Sequence, residues 1–156
     1  MDARSEVLIQ STPDAQWLPP GGRADVVRSN VAPGPTCLVR LLICRGETVF
    51  CVPREGSGKL DLPTRKVPSS DQDGRATARQ FAFDVFGRRA SVTPVGFVRN
   101  VVHGQPDGYE WPVPLAHFTL WATDGEPLGA GTWVDANDHA SLLSARHWFP
   151  LVVAGN

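Results

Sequence analysis

The sequence predicts an α+β domain built on a mixed β-sheet, and three observations predict it. Short apolar runs bounded by Gly, Pro and Asn clusters recur along the chain, as strands do. One stretch has strong helical periodicity. The order is strand pair, long loop, helix, strands and closing helix, which is not the regular alternation of a parallel doubly wound sheet. A length of 156 residues suits one domain. The 15 glycines and 14 prolines demand many turns and argue against a helical bundle.

Residues 1–36 contain one strand, Glu6 to Gln10, and then WLPPGGRADVVRSNVAPGPT. So many breakers exclude a helix, and the passage reads as a Pro/Gly-rich arm laid over the domain formed by residues 37–156. The runs CLVRLLIC and ETVFCVP, separated by Arg45-Gly46, predict a β-hairpin. Both of its strands are apolar on both faces and therefore buried. In this register Arg40 lies opposite Cys51. The loop REGSGKLDLPTRKVPSSDQDG is about twenty residues long, a length that in compact domains points to function.

Residues 74–86 predict a helix. Ala78, Phe81, Ala82 and Val85 form one stripe at i, i+3, i+4 and i+7. Asp71 or Asp73 serves as its N-cap and Gly87 as its stop. Strands follow at 91–102 and 114–123, joined by HGQPDGYEWPV, with a short strand at 131–134 and a final helix from Asn137 to His147.

Sixteen acidic against fifteen basic residues give a net charge of −1. No overall field would hold the protein on a nucleic acid polymer or an anionic membrane. Thirteen of the bases are Arg and two are Lys, and Arg presents a fixed fork of donors suited to phosphates and carboxylates. Cys37, Cys44 and Cys51 show no C-x-x-C spacing, and the hairpin register puts Cys44 and Cys51 about 13 Å apart along the sheet, too far for a bridge. They read as buried thiols in a reducing compartment. With no apolar run of signal length, the chain reads as soluble and cytoplasmic.

The segment LDLPTRKVPSSDQDGRATARQFAFDVFG after the hairpin resembles the box of the Nudix (MutT-like) hydrolase family. Leu62-Pro63 matches the stretch that leads into the box. Arg65 stands where the family has its first Gly and Asp71 where it has the first Glu. Arg79 falls on the motif's Arg, and Gln80, Phe83 and Asp84 take the three clustered Glu positions. Gly87 lies one residue beyond the closing Gly. The resemblance implies a mixed β-sheet sandwiched between helices, with the box forming a loop-helix-loop. It also implies acid-anhydride hydrolysis of nucleoside diphosphate derivatives with Mg²⁺ or Mn²⁺.

This version of the box is poor in the oxygens that Mg²⁺ requires. Asp71 and Asp84 are the candidate metal ligands. Asp84, Asp71, Arg79 and Gln80, with Glu110 as a loop base, are the candidate catalytic residues. With Ala78 at zero, Phe81, Ala82 and Val85 fall within about 60°, whereas Gln80, Phe83 and Asp84 lie about 140° to 240° away. Between residues 65 and 87 the charges sum to +1, with four bases against three acids. Such a segment suits direct contact of an anion by Arg. Arg54, Arg65 and Arg99 are the candidate anion ligands, and His103 and Trp111, beside Tyr109, the candidate stacking wall.

Structural roles compete with each of these. Asp71 and Asp73 suit caps, Asp84 a solvated helix acid, Arg79 a loop clamp and Trp111 packing. His139 and His147 lack a third metal ligand. Three functions stay open: a non-hydrolytic Nudix-like protein that binds a small phosphorylated ligand such as a nucleotide derivative; a divergent Mg²⁺-dependent hydrolase; and a protein-interaction module. The N-terminal arm suits docking in a homodimer.

Overall fold

The longest strand explains the layering of the molecule. In the computed structural model, which describes residues 6–137 and 142–152, β3 spans Thr36–Arg45. Successive side chains of a strand point to opposite faces. Val39, Leu41 and Ile43 enter one apolar cluster, together with Ala78, Phe81, Ala82 and Phe86 of the helix α1 (Arg75–Phe86). Leu42 enters a separate cluster on the other face, with Leu62, Leu143, Trp148 and Phe149. The sheet therefore lies between α1 and the C-terminal segment, and each face has its own core.

The other strands are β1 (Val7–Thr12), β2 (Arg23–Arg28), β4 (Thr48–Pro53), β5 (Leu60–Asp61), β6 (Thr64–Lys66), β7 (Thr93–Val101), β8 (Leu115–Thr123) and β9 (Thr132–Asp135). They run in the order β1-β2-β7-β8-β3-β4-β5, with β6 on β3 and β9 on β4. The β3–β8 pair is parallel and every other pair antiparallel, so the sheet is mixed as the sequence predicts. The run RADVVR, read from the sequence as part of an arm, is β2, an inner strand paired to both β1 and β7. Val26 and Val27 are buried, and that burial is what draws it into the sheet.

The hairpin forms with its turn one residue later than expected. Cys44 pairs with Val49 and Arg45 with Thr48. Gly46 takes a positive φ of 61° at the first turn position, where hairpin turns favour Gly. Arg40 does not face Cys51; it pairs with Thr64 of β6 and Leu120 of β8. All three cysteines are free, with Cys37 and Cys51 buried as expected but Cys44 exposed near the turn.

Helix α1 ends as predicted and starts one residue later, with Gly74 rather than an Asp as its N-cap. There φ is 79°, and a Cβ would lie 2.8 Å from Val39 Cγ1, so only Gly fits this approach to the sheet. Asp71 and Asp73 act from outside the cap by accepting helix N–H groups. The C-terminal stop is Gly87, in the left-handed conformation, whose N–H donates to Phe83 O at 2.7 Å.

The predicted closing helix, Asn137 to His147, is replaced where described by a 3₁₀ turn, Leu142–Ala145, and a second, Phe149–Leu151, follows beyond its predicted end. The backbone bonds there close over three residues rather than four, the Arg146 N–H donating to Leu143 O at 2.9 Å and the Phe149 N–H to Arg146 O at 3.1 Å. The part of that prediction on residues 138–141, His139 included, lies outside the described residues. No described helix is long and apolar enough to cross a membrane.

Candidate functional site

The box-like segment folds into β5, β6 and α1, and its aspartates Asp71, Asp73 and Asp84 are each held by nearby donors. Asp71 Oδ2 accepts from the Thr77 N–H and from Thr77 Oγ1, both at 2.7 Å, and Asp73 Oδ1 accepts from the Arg75 N–H at 3.0 Å. Both carboxylates thus stabilise the positive start of the helix. Asp84 Oδ2 accepts from Arg65 Nη1 at 2.8 Å and its Oδ1 from Gln80 Nε2 at 2.9 Å. The Arg65 guanidinium also lies 4.3 Å above the Phe81 ring. These bonds hold the Asp84 carboxyl below its ordinary range, with the Arg65 bond the larger cause.

Arg79 and Phe83 are exposed, and Arg79 makes no hydrogen bond or ion pair among the described residues. Glu110 and His103 are exposed in the β7–β8 loop. Among the described residues, no three His, Cys, Asp or Glu side chains gather as a metal site. Asp71 and Asp84 are each committed to protein donors, and Glu110 does not join them. This donor set does not fit a carboxylate-anchored Mg²⁺.

A large cleft opens instead on the sheet face opposite α1. Its volume is about 870 Å³ and no residue of α1 lines it. Strand alternation builds its floor from Leu38 and Arg40 of β3, Val98 and Asn100 of β7 and Phe118 of β8. Five cationic side chains, Arg40, Arg54, Lys59, Lys66 and Arg146, face two carboxylates, Glu55 and Asp61. The walls are aromatic. Trp17, from the β1–β2 connection, stacks on His147 with centroids 4.1 Å apart, and Trp111 meets Phe118 edge-on at 5.3 Å.

Asp61 organises the cleft from below. It is 2% exposed, and four donors surround it. Its Oδ1 accepts from the Leu62 N–H at 2.8 Å and Trp148 Nε1 at 2.7 Å, and its Oδ2 from Arg54 Nε at 2.8 Å. Arg40 Nε stands 3.7 Å from the same Oδ2. Arg146 ties the C-terminal segment to β5 by donating twice to Leu60 O, at 2.8 and 2.6 Å. Burial and the Asp61 charge push the Cys51 thiol up to about 12. Burial, then Arg40 and Arg54, hold His147 below its ordinary value.

Of the anion ligands expected from sequence, only Arg54 lines the cleft, and Trp111 is the member of the stacking wall that does. Arg65 is spent on Asp84. Arg99 lies elsewhere, donating to His117 Nε2 at 3.1 Å and reaching Glu6 at 3.3 Å beside a separate hollow of about 210 Å³. Tyr109 packs under the β1–β2 connection, with its hydroxyl 3.5 Å from Asn100 Nδ2.

Sequence reasoning missed Arg40, Asp61, Trp17 and Arg146. A usable signal existed for the first: an arginine at the centre of CLVRLLIC, a strand otherwise apolar on both faces, must answer to something.

No protein-family model matches the chain, and no curated protein matches it. Among solved structures it is similar to the crystal structure of a mutant of the Bacillus subtilis pyrophosphohydrolase BsRppH. The TM-score is 0.50 at 15% identity, over 78% of this chain and 68% of that one. At this identity the likeness concerns the fold alone: a mixed sheet with a single α-helix among the described residues, Nudix-like at the coarse level.

Proposed function

We propose that this protein uses a Nudix-like fold to bind a small phosphorylated ligand, such as a nucleotide derivative, in the cleft opposite α1, without hydrolysing it through a box-held metal. The observation that carries the reading is the cleft lining: five cations against two carboxylates, between the Trp17–His147 stack and Trp111. Arg forks pair with phosphate oxygens, and flat aromatic faces accept a base. A cleft of about 870 Å³ accommodates a ligand of nucleotide size. The loss of the metal-binding box is supported by Asp84, whose two oxygens are held by Arg65 and Gln80.

The test is calorimetric titration of pyrophosphate, ADP and ADP-ribose, with and without Mg²⁺, alongside a phosphate-release assay. Metal-independent binding without turnover is the expected result. The similarity to a pyrophosphohydrolase favours one second reading, a divergent hydrolase. Turnover that depends on Mg²⁺ or Mn²⁺ and disappears in Asp84→Asn would establish it in place of the first.

A further inference from the structure

We propose that Arg40 is the oxoanion receptor of the cleft, taking two oxygens of a phosphate or pyrophosphate group on its guanidinium edge; this rests on the cleft reading above. Arg40 rises from the middle of β3 between Leu38 and Leu42 and lines the cleft floor. Its side chain is 16% exposed, yet it makes no hydrogen bond among the described residues, and its Nε is a buried donor without an acceptor. A guanidinium has five N–H donors and stays charged in proteins. The cost of an unsatisfied buried donor falls on Nε alone, while the terminal N–H groups stay open to the cleft.

Asp61 does not relieve this. Its oxygens are already taken at 2.7–2.8 Å by Trp148, Leu62 and Arg54, and Arg40 stands off at 3.7 Å. The carboxylate thus contributes a neutralising charge without contact. Arg54 cancels most of the repulsion that Asp61 would exert on an incoming anion. Lys59, Lys66 and Arg146 also line the cleft, so a divalent oxoanion there meets further cations. The fork is held on the cleft floor with Nε beside Asp61, and its terminal N–H groups, which no acceptor among the described residues takes, are free to receive such a ligand.

The experiment compares wild type with Arg40→Met, Arg40→Lys and Arg65→Gln, using inorganic pyrophosphate and ADP in calorimetric titrations and thermal melts of the free proteins. For Arg40→Met, affinity for both ligands falls at least about 30-fold, the loss of one to two charge-assisted bonds, while its ligand-free melting temperature equals or exceeds that of wild type. Arg40→Lys recovers part of the affinity, and Arg65→Gln binds as wild type does. Free pyrophosphate and ADP weakened alike indicate a receptor for the phosphate group itself, whereas ADP weakened alone would overturn that role. Arg40→Met binding as tightly as wild type overturns the inference and leaves the cleft reading standing. A ligand-free Arg40→Met that melts well below wild type overturns it too, because Arg40 is then structural. Wild type binding neither ligand overturns both readings.

Discussion

Replacing Asp61 by Asn is the sharpest test of how the cleft is held. The substitution keeps the shape and one carbonyl oxygen, which retains the Leu62 N–H and Trp148 Nε1 donors. It removes the charge and turns an amide N–H₂ toward Arg54 Nε, donor against donor. The lost charge-assisted bond to Arg54 is worth about 1.5–3 kcal/mol. That figure needs discounting because Arg54 is 41% exposed and can turn to water. Arg40, 16% exposed, loses the carboxylate 3.7 Å away that offsets its charge. Breaking a buried pair from one side costs about 3–5 kcal/mol, which is an upper bound here.

The net loss is about 2–4 kcal/mol, which for a domain of this size lowers Tm by roughly 4–16 °C. Near-ultraviolet circular dichroism melts near neutral pH, repeated by urea denaturation, measure it. Arg54→Gln serves as the control and loses less, since Asp61 then keeps two close donors. An Asp61→Asn melt within about 1 °C of wild type would refute the view that this carboxylate organises the cleft.

Further outcomes follow from the same contacts. Arg65→Gln and Asp84→Asn each leave the urea midpoint close to that of wild type, because their ion pair is surface-exposed at 37% and 43%; a clear drop in the midpoint would give the box a structural weight that its exposure denies. His117 donates from Nδ1 to Pro35 O at 3.1 Å and accepts from Arg99, and burial holds both it and His147 below their ordinary values. The unfolded chain therefore takes up these protons first as pH falls, so stability is full above about pH 7 and declines through the ordinary His range near 6.5; a pH series of melts flat between 7.5 and 5 would contradict the assignment. With a thiol-specific reagent, folded protein exposes Cys44 alone, and Cys51, pushed up to about 12, reacts only after unfolding; mass spectrometry of labelled peptides reads this directly.

The helix and the principal strands were legible because burial writes a period into the chain. The stripe at 78, 81 and 82 is the buried face of α1, and the apolar runs around 37–53 are β3 and β4. Cap chemistry was legible only in outline. The helix start needed Gly74 against Val39, a tertiary constraint, and the two aspartates then found helix N–H groups from one and three residues before that cap.

The site was harder to read. Matching to a family box drew attention to Arg65, Asp84 and Gln80, which the fold ties to one another. The cleft is assembled from residues far apart in the chain, as the Trp17–His147 stack illustrates, and no local pattern announces such a pair. Asp61 sat inside a passage read as loop. Its importance arises only when β5 brings it beside Trp148 and Arg54.

The alternation along β3 has a consequence for how this protein can change. Val39 and Leu41 pack toward α1 while Arg40 faces the cleft, so one strand encodes both a core and a charge. Inserting or deleting a single residue ahead of Arg40 would invert the parity, driving a guanidinium into Ala78 and Phe81 and an aliphatic side chain into the cleft. Variants of that kind fail to fold before they can acquire a different binding preference. Changes of length are expected to be tolerated only in the connections outside this strand, where the walls of the cleft can be altered without disturbing its floor.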